Sequence, residues 1–318
     1  MYVDVLCEIG AKAVDNVFVY HVPMMLEDNI KIGIRVKIPF GKMILEGFVM
    51  SVEKDTTYDK SKIKDIIDIV DINPVLNKEM IELGAYMSDN LLCSKVSAYQ
   101  VMLPKALKAK NSTDTKIKYN KYLRRTKSVK EIDEYIKKCK YNGQIGLLCK
   151  LKEGDVLINR MSSTINTIIK HDLAEIIEIE EKRYNYTGLS NYKKITLTNE
   201  QDSIVNNICS SFGKSKTFLL YGVTGSGKTE VYMSIMEKVL TSGKEAIMLV
   251  PEISLTPQIV GKFISRFGDV VSVLHSKLSD NERYDEYRKI TEGKSKIVIG
   301  TRSAVFVPFT KLVIIIID

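Results

Sequence analysis

Residues 218–232 read FLLYGVTGSGKTEVY: an apolar run, a glycine-rich turn closed by Lys-Thr, and the start of a helical pattern. The stretch between Gly222 and Thr229 satisfies G-x-x-x-x-G-K-[ST] at every fixed position, and such a loop requires a strand before it and a helix after it. Glycines at 222, 225 and 227 let the backbone curl until its N–H groups converge on a phosphate, to which the following helix adds its positive end. Lys228 is then placed for the β- and γ-phosphates and the Thr229 hydroxyl for Mg²⁺, with Thr224, Gly225, Ser226 and Gly227 lining the turn. The expected ligand is a nucleoside triphosphate with its metal.

The surroundings of the loop predict the rest of that fold. From residue 194 onward the segments TFLLY, EAIMLV, VVSVLH, KIVIGT and KLVIIIID alternate with helical stretches, the pattern of βαβ units on a parallel sheet. Ser279 and Glu282 form a capping box, and Gly293 follows as a stop. Motifs that follow such strands lie at the C-terminal edge of the sheet, where open α/β sheets bind ligands. The strand LVIIII ends in Asp318, an acid placed to hold the metal. Gln201 in LTNEQ has two readings: its amide pairs with an adenine edge and selects ATP, or with Thr198 it caps a helix.

Upstream the texture changes twice. Over residues 1–104, VFVYHVP, GIRVKIPFG and EGFVMSVE are β-branched or aromatic segments punctuated by glycine and proline, which predicts a small open barrel or sandwich closed by a helix over residues 78–99. Residues 105–130 then hold ten basic residues against Asp114 alone, an exposed linker into a basic domain that extends to residue 193. Two or three helical patterns and the alternating LAEIIEIEEKR follow, which fits a winged helix and fits other small helical domains equally.

With 47 basic and 39 acidic residues the 318-residue chain carries a net charge of +8, which favours a polyanionic partner. Five scattered cysteines without C-x-x-C spacing give neither a disulfide framework nor a zinc site, and fit a reducing cytoplasm. The N-terminus lacks the basic start of a secretory signal, and the run LVIIII is far short of the roughly 18–20 apolar residues of a membrane span.

The succession LTNEQ, GVTGSGKTEVY, LVPEISLTPQ, VLHSKLSDNERYDEYRKI, IVIGTRSAVFVP and LVIIIID resembles the first lobe of the bacterial replication-restart helicases, the primosomal protein N′ family. PEISLTPQ and GTRSAVF separate it from other superfamily 2 helicases, and VPMMLEDNIKIGIRVKIPFGK is similar to the family's N-terminal domain, which captures the 3′ end of a nascent leading strand. The middle section agrees with the family's winged helix in position and charge. The resemblance implies a multidomain α/β protein: a β-rich 3′-end-binding domain, a winged helix and a RecA-like lobe that ends at the Walker B acid. It implies an ATP-dependent 3′-to-5′ DNA helicase that recognises stalled or abandoned forks and starts primosome assembly in the cytoplasm, at the nucleoid. Forked and single-stranded DNA, the single-stranded DNA-binding protein and other primosome proteins are the expected partners, with no membrane.

By the same resemblance Gln201 contacts adenine, Gly225, Gly227, Lys228 and Thr229 hold phosphate and Mg²⁺, and Asp318 is the metal-binding acid of the D-E-x-H box, so that Lys228 and Asp318 are the catalytic candidates. Thr301, Arg302 and Ser303 lie along the single-stranded DNA track with residues 251–257, although Arg302 also fits a local ion pair. Phe18, Tyr20, Phe40 and Gly41 are candidates for the 3′ end, and Arg124, Arg125 and Lys127 for the DNA backbone. Two departures stand out. Many members carry an acid between the Phe and Tyr, where this sequence has Val19. The sequence also stops inside the D-E-x-H box, before the second lobe, the arginine finger and the cysteine-rich zinc region, so a fragment that binds nucleotide without efficient hydrolysis is expected. The alternatives are a non-enzymatic DNA-binding module and a P-loop ATPase acting on a protein or metabolite.

Overall fold

The computed structural model describes residues 1–7, 17–109, 119–180, 195–251 and 257–318. The chain forms two compact units, one of Met1–Thr115 with Asn185–Asp318 and one of Lys116–Tyr184.

The larger unit begins with strands β1 (Tyr2–Cys7), β2 (Val17–His21), β3 (Arg35–Phe40), β4 (Met43–Glu53) and β5 (Asp68–Ile69), antiparallel in the order β2-β1-β4-β3-β5. The sheet closes on itself. Residues 64–66 bond to β2 through His21 N–H to Lys64 O and Ile66 N–H to His21 O, both 2.9 Å, and Ile67 N–H reaches Lys37 O on β3 at 2.8 Å. Alternate residues point to opposite faces of a strand, so Val3, Val5, Val36, Ile38 and Val49 fill the barrel while Leu6 and Phe48 face outward. That outer face is covered by α1 (Lys78–Asn90) and α2 (Lys95–Met102), with Tyr99 edge-on to Phe48 at 6.4 Å between centroids. The single helix expected over residues 78–99 is thus two helices. Asn77 caps the first through the Met80 N–H, and Ser94 caps the second through the Ser97 N–H at 3.2 Å, a start signal that reading the span as one helix passed over.

In the smaller unit, β6 (Tyr119–Arg125), α3 (Val129–Lys138), α4 (Asn142–Glu153), β7 (Val156–Leu157), α5 (Ser163–Lys170) and β8 (Ala174–Glu180) form three helices and an antiparallel sheet ordered β7-β6-β8. The helices and sheet enclose Leu123, Ile132, Leu148, Leu151 and Ile168, all fully buried. The long ribbon of this unit pairs the first strand with the last: Tyr119 sits opposite Glu180 and Arg125 opposite Ala174. The basic stretch is therefore not a linker over its whole length. Tyr119–Arg125 of it are strand β6, anchored by Leu123, and Lys130 belongs to α3; Lys110, Lys116 and Lys118 lie outside the described residues.

The larger unit resumes with α6 (Asn199–Cys209), α7 (Lys228–Thr241), β9 (Glu245–Leu249), α8 (Pro257–Phe267), β10 (Val271–Leu274), α9 (Asp280–Thr291), β11 (Ile297–Gly300) and β12 (Leu312–Ile317). The four strands are parallel in the order β10-β11-β9-β12, and α6, α7 and α8 pack one face through Val205, Met233, Met236, Val239 and Phe263. One expected strand is missing. Residues 217–221 run beside the outer edge of β12 across a cleft of about 390 Å³ and join no ladder; Leu219 and Tyr221 are each 92% exposed. An apolar run becomes a strand only where its backbone finds a partner in register, and here β12 remains the sheet edge.

The barrel and the lobe share a core. Tyr287 of α9 and Phe306, in the 3-10 turn Arg302–Phe306, pack with Leu6, Phe48, Met80, Tyr99 and Met102. Beside them Arg35, 4% exposed, forms a polar hub. Its guanidinium donates to both Asp71 oxygens (2.9 and 2.7 Å), to Glu46 (3.5 Å) and to the carbonyls of Ala106 and Lys108 (3.2 Å each). This hub ties the barrel to the turn Lys105–Leu107, whose Lys105 pairs with Asp280 at the start of α9 at 2.9 Å.

Candidate nucleotide and nucleic-acid sites

The glycine turn has the backbone its sequence requires. Gly225 and Gly227 sit at φ +85° and +84°, a left-handed conformation that side chains disfavour, and Gly227 is the residue from which α7 starts. A Cβ on Gly222 would lie 2.6 Å from Ser226 Oγ, and one on Gly227 2.6 Å from the Gln201 amide nitrogen. The loop is therefore a bare backbone cradle. Lys228 starts α7 and folds back across the loop, its Nζ donating to Gly222 O at 2.7 Å and Val223 O at 3.3 Å. Thr224 and Ser226 are exposed, and Thr229 is half-buried.

Gln201 makes the capping bonds: Thr198 Oγ1 accepts from Gln201 N–H at 3.2 Å, and Gln201 Oε1 accepts from Thr198 N–H at 3.0 Å. Its amide nitrogen then donates to Ser226 O at 3.0 Å, so the same side chain braces the loop.

Asp318 follows β12, its N–H bonded to Leu249 O at 3.0 Å, and its carboxylate accepts from Tyr232 Oη at 3.1 Å. Tyr232 and Thr229 lie three residues apart on α7 and share a face, which brings the acid to the side of the helix that carries the threonine. Burial, reinforced by Asp318, pushes the Tyr232 phenol up to about 12. Tyr232 was not a sequence candidate, because its place in GKTEVY reads as an ordinary core position. Among the described residues no group of three His, Cys, Asp or Glu side chains could hold a metal by itself.

The GTRSAVF segment turns at the C-terminal ends of the paired strands β10 and β11. A Cβ on Gly300 would sit 2.5 Å from Leu274 O and 2.7 Å from Ala304 Cβ, so only glycine fits there. Thr301 N–H bonds Leu274 O at 3.1 Å, and Arg302 and Ser303 emerge exposed. Among the described residues Arg302 pairs with no carboxylate. Of residues 251–257 only Pro251 and Pro257 are described.

A cleft of about 730 Å³ opens at one end of the barrel. Phe18, Val19 and Tyr20 of β2 and Phe40 and Gly41 at the end of β3 form one wall, with Phe18 edge-on to Phe40 at 5.3 Å. Tyr20 is only 5% exposed and its hydroxyl is tied to Pro39 O at 3.3 Å, so it is a structural wall rather than a free stacking surface. Tyr58, Asp59, Lys62 and Lys64 complete the lining. None of these was a sequence candidate. They arrive some forty residues later in the chain and reach the cleft only because residues 64–69 close the barrel.

On the smaller unit the three basic candidates differ. Arg124 is clamped by Asp155 through bonds of 2.7 to 3.1 Å, which holds the Asp155 carboxyl below its ordinary range, and Lys127 pairs with Asp172 at 3.2 Å. Arg125 is exposed and donates only to Lys127 O at 3.4 Å; among the described residues it meets no carboxylate. If this unit binds duplex DNA, Arg125→Ala should flatten the slope of log K against log salt by about 0.9, whereas Arg124→Ala and Lys127→Ala should change it less. Equal flattening by all three would show that the ion pairs open on DNA.

Comparison with known proteins places these sites in context. The family described as 3′DNA-binding domain (3′BD), PriA_3primeBD, matches residues 4–104, and the family described as DEAD/DEAH box helicase matches residues 198–318. The replication restart protein PriA of Bacillus subtilis is 34% identical over all of this chain and 48% of its own length. The PriA proteins of Chlamydia muridarum and Chlamydia trachomatis are 32% and 31% identical over 100% and 96% of the chain and 44% and 42% of their own lengths. The chain thus spans less than half the length of these relatives. Barrel and lobe, fused through one core, each meet a domain found in replication restart proteins or helicases, and relatives of one name run the length of the sequence: the chain belongs to the PriA family.

Proposed function

We propose that this chain engages both DNA and nucleotide within an ATP-dependent 3′-to-5′ helicase that restarts replication at stalled or abandoned forks. The observation that carries this reading is the shared core joining the barrel, with its aromatic cleft, to a lobe bearing a complete phosphate loop. In this reading the barrel covers residues 1–104 and receives a strand's 3′ end, residues 105–193 form a basic winged-helix domain that holds duplex, and residues 194–318 are the helicase lobe. Thr301, Arg302 and Ser303 track the single strand. The whole protein works in the cytoplasm, at the nucleoid, with the single-stranded DNA-binding protein and other primosome proteins.

The nucleotide chemistry follows from the loop. The backbone N–H groups of residues 225–229 surround the phosphates, and Lys228 exchanges its Gly222 and Val223 carbonyl partners for phosphate oxygens. Thr229 and Asp318 would hold Mg²⁺, which would supply positive charge beside the phosphates. Tyr232 keeps the Asp318 carboxylate turned toward α7. Gln201 meets adenine by turning its amide from Ser226 O toward the base, while its backbone N–H keeps the Thr198 cap.

Fluorescent ATP or ADP should bind this chain, and Lys228→Ala should weaken binding by roughly 10- to 100-fold, the loss of one charge-assisted hydrogen bond of about 1.5–3 kcal/mol. Unchanged affinity in the variant would reject the loop as the nucleotide site. Forked DNA binding that weakens with rising salt tests the other half of the reading.

A further inference from the structure

The cleft at the barrel end is lined by two chemically distinct segments, and the second supplies what the first lacks. On β2 the side chain between Phe18 and Tyr20 is Val19, which offers no polar group. In the same lining Asp59 caps the short turn Lys60–Lys62: its Oδ1 accepts from Ser61 N–H at 3.1 Å and Ser61 Oγ at 2.7 Å. Among the described residues its Oδ2 meets only Lys62 Nζ, at 3.4 Å, and keeps room for another donor. We propose that Asp59 is the specificity-determining group of this cleft, accepting a hydrogen bond from the free 3′ hydroxyl of a DNA strand and repelling an end that carries a phosphate. The proposal rests on the reading of the cleft as the 3′-end site.

The argument is one of fixed charge. The Ser61 hydroxyl, more than any other neighbour, holds the Asp59 carboxyl below its ordinary range, so it is ionised at neutral pH. An ionised carboxylate is an acceptor only: it matches a hydroxyl and opposes a phosphate dianion. Lys62 and Lys64 line the same cleft and attract any DNA strand through its internal phosphates. They raise affinity for both kinds of end, whereas the discrimination falls to the one acid that the turn holds in place. The aromatic pair Phe18 and Phe40 supplies the apolar surface for the terminal base.

The test uses the full chain and forked DNA whose leading-strand end carries either a 3′ hydroxyl or a 3′ phosphate, read by fluorescence anisotropy at one salt concentration. The unaltered chain should prefer the hydroxyl end on the order of five-fold, the effect of about one hydrogen bond. Asp59→Asn, which keeps the acceptor for Ser61 but not the charge, should bring the two ends within about two-fold, mainly by improving the phosphate-ended complex. Ser61→Ala disturbs the turn but keeps the carboxylate, and should retain most of the preference. Phe18→Ala should weaken both complexes. A preference that survives Asp59→Asn overturns the proposal while leaving the cleft as the end site, and so does a preference lost equally in Ser61→Ala, which assigns the effect to the shape of the turn. No preference in the unaltered chain, or no effect of Phe18→Ala, overturns the reading of the cleft and the proposal with it.

Discussion

Arg35→Met should destabilise the larger unit by about 3–5 kcal/mol, measured as a shift of its urea unfolding midpoint at unchanged slope. The cause is what the arginine would leave behind. The side chains of Asp71 and Glu46 are 11% and 6% exposed, and both pair with Arg35; the Ala106 and Lys108 carbonyls would each lose a donor as well. Removing one member of a buried charge set strands the others in a medium that cannot solvate them. Arg35→Lys should lie between the two, because an ammonium cannot serve Asp71 bidentately and reach the two carbonyls at once. A cost below about 1 kcal/mol for Arg35→Met would mean that water enters and solvates the carboxylates, and the hub would then be a surface ion pair in effect.

Tyr287→Ala should cost a comparable amount, about 3–5 kcal/mol, by emptying the place where α9 meets Met80 and Phe306. Tyr287→Phe should be nearly neutral at pH 7, since among the described residues the hydroxyl meets only the Met80 sulfur, at 3.9 Å. Above pH 10 the comparison should change sign. Burial pushes the Tyr287 phenol well up, so in the unfolded chain it ionises near its ordinary value of about 10 while the folded chain keeps it neutral. Stability is therefore full below that pH and falls as pH rises through it. Tyr20 and Tyr232, each pushed to about 12, and Cys7, pushed to about 11, add to the alkaline loss. Tyr287→Phe should have a shallower decline between pH 9 and 12 than the unaltered chain. A steeper decline would contradict the burial of a neutral phenol.

The parts of this molecule that were readable in its sequence are those set by neighbours in the chain. The cradle at 225–227 depends on glycines that read directly, and the capping boxes at Thr198–Gln201 and Ser279–Glu282 form as their spacing predicts, because both partners lie within one helical turn. What escaped the sequence was set at a distance. Arg35 meets Asp71, Glu46 and Ala106 only after the barrel has closed. Tyr58 and Asp59 line one cleft with Phe18 for the same reason. Counting cations in residues 105–130 could not reveal that Asp155 and Asp172 would neutralise Arg124 and Lys127. The run at 217–221 misled in the opposite sense: its pattern is that of a strand, but a strand exists only with its partner.

The shared core also changes what counts as a foldon here. Amides that exchange with solvent only through sub-global opening report the free energy of the cooperative unit that contains them. Because Leu6 and Phe48 of the barrel pack with Tyr287 and Phe306 of the lobe, the barrel cannot open its outer face without exposing α9. Protected amides of β4 and α9 should therefore report one common opening energy, although they belong to different domains. Those of α4 and β6 should report another, set by the enclosed cluster of Leu123, Leu148 and Leu151. In hydrogen exchange the molecule would then count two thermodynamic bodies where its sequence counts three domains.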